Sequence, residues 1–222
     1  MTREEVLSSI REHKVIAIAR GFDAEQCVKL AEALYAGGIR MLEVTFDQSR
    51  PEYFPETIKA IHAVKTQFAG KVIPGAGTVM TPKQVELAKE AGALYIISPD
   101  TNEEVIRHTR KSCLVSLPGA MTPTEAAYAH RAGADMVKLF PIADLGAAYL
   151  SAVKAPLKHI EFLAVGGVSP ENIRDFIKAG AVGAGVGGLL TRKELVENEE
   201  FEKITRLARQ YVENVNVERI SI

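Results

Sequence analysis

Four times along the chain an Ala-Gly pair and a small residue run straight into an apolar segment: "AGGIRMLEV" from 36, "AGALYIIS" from 91, "AGADMVKLF" from 132 and "AGAVGAGV" from 179. A glycine just past a helix end supplies the left-handed conformation that stops the helix, and the apolar run after it reads as the next buried strand. Helix-start signals stand between these junctions, at Thr81-Pro82, Thr122-Pro123 and Ser169-Pro170. Strand and helix therefore alternate, which defines an α/β class with parallel strands. Strand candidates fall at 15–19, 41–46, 72–76, 95–98, 114–118, 136–140, 161–165 and 182–186, eight in all. Eight units with short loops, and no Gly-x-Gly-x-x-Gly after the first strand, favour a closed (β/α)8 TIM barrel over an open doubly wound sheet. Residues 2–12 remain as an extra N-terminal helix. Residues 1–222 read as a single TIM-barrel domain, a length such barrels routinely reach.

Composition narrows the function. A formal net charge of −1 creates no long-range field for nucleic acid or an anionic membrane, so neither is expected as a partner. No run approaches the ~18 apolar residues of a membrane span, and the opening "MTREEVLSSI" is acidic and amphipathic where a signal peptide is basic then apolar, so a cytoplasmic protein is expected. Cys27 and Cys113 lie far apart with no Cys/His cluster, which indicates core thiols and no metal site. The five histidines show no paired spacing for a metal ion.

Chemistry in such a barrel sits where strands run into the following loops. Two residues break otherwise apolar strands: Lys138 in "MVKLF" and Glu43 in "MLEVTF". Period-two alternation puts Lys138 on one face with Met136 and Phe140, and Glu43 with Met41 and Thr45, so one interior would hold an acid and an amine. A buried ammonium is costly unless it is paired or its pKa falls, and a lysine of lowered pKa is a nucleophile. The competing reading is a structural ion pair. Gly166 and Gly167 after the seventh strand, with Gly187 and Gly188 after the eighth, suggest a phosphate site where bare N–H groups approach an anion.

"GIRMLEVTF", "PGAGTV", "ISPD", "LPGAMTPTEA", "VKLFP" and "AVGGVSPENI", in this order and over nearly the whole chain, resemble the class I 2-keto-3-deoxy-6-phosphogluconate / 4-hydroxy-2-oxoglutarate aldolases, the KDPG/KHG aldolase family. The resemblance implies a carbon–carbon lyase without cofactor or metal, in which Lys138 forms the Schiff base and Glu43 is the acid/base. It also implies a pocket lined by Thr45, Thr78, Pro99, Pro118 and Phe140, with Arg20 near the substrate's polar groups, in a homotrimer. The implied reactions release pyruvate from a 2-keto-3-deoxy sugar acid. They give glyceraldehyde 3-phosphate from the phosphogluconate derivative or glyoxylate from 4-hydroxy-2-oxoglutarate. Asp47, Val165 and Leu189 depart from the family's usual Arg, Thr and Ser, and "FLAVGGVSPEN" resembles the 2-keto-3-deoxy-6-phosphogalactonate aldolases, which rank second. A phosphosugar-binding barrel, or an epimerase with Glu43 as base, would also use the glycine loops, but neither needs a buried amine.

Overall fold

The computed structural model describes residues 1–216. Helix α1, Arg3–His13, precedes strand β1, Val15–Ala19, and from there strands and helices alternate. The strands are β2, Met41–Thr45; β3, Ile73–Gly77; β4, Tyr95–Ile97; β5, Val115–Leu117; β6, Gly119–Ala120; β7, Val137–Leu139; β8, Phe162–Val165; and β9, Gly183–Val186. All pairings are parallel, in the order β5-β4-β3-β2-β1-β9-β8-β7-β6. The first and last strands are neighbours, so the sheet curls round on itself.

Among the described residues there are nine strands where the sequence suggests eight. The fifth candidate, 114–118, ends at Pro118, which has no N–H to give to a ladder, and the additional short strand resumes beyond it at Gly119. Its outer edge still serves β7: Asp135 and Lys138 donate their N–H groups to the carbonyls of Ser116 and Pro118, at 3.0 and 2.9 Å, and Phe140 donates to Ala120 at 3.0 Å. One interrupted strand thus completes the barrel.

Two apolar clusters show how the alternation was used. Ile16, Met41, Ile73, Leu117, Met136 and Leu163 fill the interior, and Val6, Leu7 and Ile10 of α1 close its N-terminal end. Ala17, Leu42, Val44, Val137 and Leu139 point the other way, into the layer beneath the surrounding helices. α1 is set by a capping box between Thr2 and Glu5. The Ala-Gly junctions behave as their sequence implies at Gly92, Gly133 and Gly180, with φ of 99°, 110° and 105°. At the first junction Gly37 stays right-handed and Gly38 takes the left-handed turn at φ 97°. Cys27 is buried, but Cys113 is exposed, correcting its reading as a core thiol: it sits at φ 61° in the turn before β5, outside the packed layers.

Candidate active site

A cavity of about 830 Å³ opens at the C-terminal end of the strands. Lys138, the middle residue of β7, reaches into it because Val137 and Leu139 on either side face the helical layer. Glu43 reaches in from β2 by the same alternation. Lys138 is 7% and Glu43 2% exposed, so both ionisable groups are almost removed from water.

The pair is not a closed salt bridge. The Lys138 Nζ lies 4.5 Å from the centroid of the Phe140 ring, and Glu43 Oε2 is buried with no hydrogen-bond partner. Burial pushes the Lys138 amine below its usual value, with Glu43 opposing the shift and Arg20 adding to it. Burial likewise raises the Glu43 carboxyl, against the pull of Lys138 and Arg20. Both shifts favour neutral forms: the amine is free to attack a carbonyl, and the carboxyl, once ionised, is a stronger base than a solvated carboxylate and so is suited to proton exchange.

The cavity also gathers Arg20, Thr78, Pro99, Phe140, Gly166, Gly167, Gly187 and Gly188. Thr78 holds a left-handed conformation, φ 54°, and its carbonyl accepts from the Gln48 amide at 2.6 Å. Gly166 and Gly167 have φ of 94° and 74°, and a Cβ on Gly167 would lie 2.2 Å from the Ala143 Cβ, so this turn requires glycine.

Thr45 and Pro118 do not line the cavity. Thr45 is buried at the end of β2, where its carbonyl accepts from Thr57 at 3.4 Å. Pro118 lies in the gap of the fifth strand and supports Lys138 through the backbone. Of the departures from the family pattern, Val165 and Leu189 face the cavity, whereas Asp47 turns back on its own loop to bind Ser49 and Arg50. Sequence reasoning missed Thr191, Arg192, Lys193 and Glu194, which line the rim beyond Leu189. The Thr191 hydroxyl donates to the Ile18 carbonyl at 2.6 Å, tying the last loop to β1. The available signal was two adjacent cations, Arg192 and Lys193, a few residues after the glycine pair. Among the described residues no group of three His, Cys, Asp or Glu side chains could hold a metal ion.

A parallel barrel with a desolvated amine and a carboxyl facing one cavity at its C-terminal mouth defines a class I type of lyase barrel. The family model "Aldolase: KDPG and KHG aldolase" matches residues 6–207. The 2-dehydro-3-deoxy-6-phosphogalactonate aldolase of Escherichia coli K12 is 36% identical over 80% of this chain and 84% of its own. The KHG/KDPG aldolase of the same strain is 34% identical over 87% and 88%. The solved KDPG aldolase of Legionella pneumophila, with pyruvate captured as a covalent carbinolamine, superposes with TM-score 0.79 and 30% identity over 89% of this chain and 93% of that one. The chain belongs to the KDPG and KHG aldolase family and is an aldolase, a carbon–carbon lyase.

Proposed function

We propose that this aldolase cleaves 2-keto-3-deoxy-6-phosphogluconate or 4-hydroxy-2-oxoglutarate, with Lys138 as nucleophile and Glu43 as general acid/base. The observation that carries the reading is the placing of one desolvated amine and one desolvated carboxyl at a single cavity. Neutral Lys138 adds to the C2 carbonyl, and loss of water leaves an iminium. The iminium draws the electrons of the C3–C4 bond as Glu43 removes the C4 hydroxyl proton. The aldehyde departs, the enamine takes a proton at C3, and water releases pyruvate and the free amine. Arg20 and Thr78 are suited to the substrate carboxylate. The backbone of Gly166, Gly167, Gly187 and Gly188 is suited to a phosphate.

A second reading, cleavage of the phosphogalactonate epimer, is supported by Val165 and Leu189 at the cavity wall, where the first group usually carries Thr and Ser. The chain would work in the cytoplasm, consistent with the lack of any described helix long and apolar enough to cross a membrane. The assembly would be a homotrimer, as the family resemblance implies.

Two measurements test the reading. Borohydride reduction in the presence of pyruvate adds a stable mass to Lys138 and removes activity; an unmodified, active protein excludes the Schiff base. Separate assays of the phosphogluconate, phosphogalactonate and hydroxyoxoglutarate substrates rank kcat/KM. Preference for the galactonate epimer selects the second reading, and cleavage of none of them removes both.

A further inference from the structure

Beyond Ile73, the inward positions of β3 are Gly75 and Gly77, and both are covered by their neighbours' side chains. Register aligns Glu43 of β2 with Gly75, and Gly75 with Tyr95 of β4. A Cβ on Gly75 would lie 2.3 Å from Cζ of Tyr95, so the phenol ring crosses β3 and carries its hydroxyl towards β2. A Cβ on Gly77 would lie 1.7 Å from Glu43 Oε1, so the carboxyl leans over β3 from the opposite side. The two groups lean over adjacent inward positions of β3 that carry no side chain.

Tyr95 is completely buried, and its hydroxyl has no hydrogen-bond partner, as is true of Glu43 Oε2. Buried polar atoms are nearly always satisfied, and a phenylalanine would fill the same volume without an idle hydroxyl. Two unpaired polar groups leaning over adjacent glycine positions of one strand are suited to serve each other.

We propose that Tyr95 is a positioning residue for Glu43: its hydroxyl donates to the carboxylate, directly or through one water, and fixes the orientation in which Glu43 exchanges protons with substrate. The inference rests on the acid/base role proposed for Glu43. The charged and titratable groups facing Glu43 are Tyr95 from β4, Lys138 from β7 and Arg20 after β1, while β3 contributes no titratable group. Donation stabilises the carboxylate, so removing the hydroxyl raises the Glu43 pKa and leaves the two cations in place.

Tyr95→Phe tests this, since it keeps the ring and removes one oxygen. The variant should match the native protein in thermal stability and in pyruvate trapping at Lys138. Its kcat for cleavage should fall about 10-fold, the scale of one hydrogen bond to a charged group, and the acid limb of its kcat/KM profile should move up by roughly one pH unit. In a Glu43→Gln background the same change should add no further loss in single-turnover cleavage. An unmoved acid limb, with or without a fall in Tm, overturns the inference while the aldolase reading stands. Failure of the native protein to trap pyruvate overturns both.

Discussion

The two ends of the barrel each bury a carboxylate, and they treat it in opposite ways. At the N-terminal end Asp135, just before β7, has a side chain 4% exposed and is saturated with donors. Arg3 of α1 and Arg110 of the helix at 103–111 both bind its Oδ1, and the Ser116 N–H donates to Oδ2 at 2.9 Å. Burial pushes the Asp135 pKa up, and these donors pull against it. At the C-terminal end Glu43 is as deeply buried, yet its Oε2 has no partner and the neighbouring Lys138 amine rests against an aromatic ring. A saturated carboxylate joins elements; an unsaturated one beside a free amine is available for proton transfer. The structural ion pair that competes with catalysis as a reading of Lys138 does exist in this molecule, but around Asp135.

Substitutions at the two ends should therefore separate activity from stability. Lys138→Met should lower turnover by more than about 10³-fold, as expected for loss of a nucleophile, and leave thermal stability equal or higher because a desolvated amine is gone. A Tm falling as far as that of an Asp135 variant would make Lys138 structural and break the contrast. Glu43→Gln should slow cleavage by ~10²-fold or more while pyruvate trapping at Lys138 persists, measured by borohydride and mass. Asp135→Ala should cost about 2–3 kcal/mol in denaturant unfolding, the lower part of the buried-pair range because both guanidiniums reach solvent. Its kcat/KM per folded molecule should stay near native; a loss comparable to that of Glu43→Gln would join the two ends into one site.

A pH series sharpens the comparison further. Because burial lowers the Lys138 pKa, the amine stays neutral to lower pH than an ordinary lysine. The rate of pyruvate trapping should therefore rise with pH and reach its plateau below the usual lysine range; a midpoint at the ordinary value would show a solvated amine. The smallest effect is expected at the rim, where Leu189→Ser adds one donor and should improve phosphorylated substrates by roughly 10-fold at most, leaving 4-hydroxy-2-oxoglutarate unchanged.

Much of this contrast was legible from residues alone. Period two within "MVKLF" and "MLEVTF" placed Lys138 and Glu43 on inward faces, and the glycine pairs after the last two strands marked one wall of the cavity. Thr45 and Pro118 were assigned to that wall by resemblance; the cavity lining does not include them, Thr45 being buried at the end of β2 and Pro118 engaged with Lys138 through its backbone carbonyl. Asp135 was unreadable. Its partners are 132 and 25 residues away, on helices whose rotation about their axes no local pattern reports.

The sequence by itself determined the alternation of strand and helix, the left-handed glycine stops, the inward faces and the chemical type of the two groups on them. These follow from steric and periodic constraints acting over a few neighbouring residues. The tertiary structure alone decided what lies beside what: Pro118 interrupting a strand that still completes the ring, Arg192 and Lys193 at the rim, and the Tyr95 ring covering Gly75 while Glu43 covers Gly77. Those outcomes depend on the lateral register of strands distant in the chain, which closure of the barrel fixes for all strands at once.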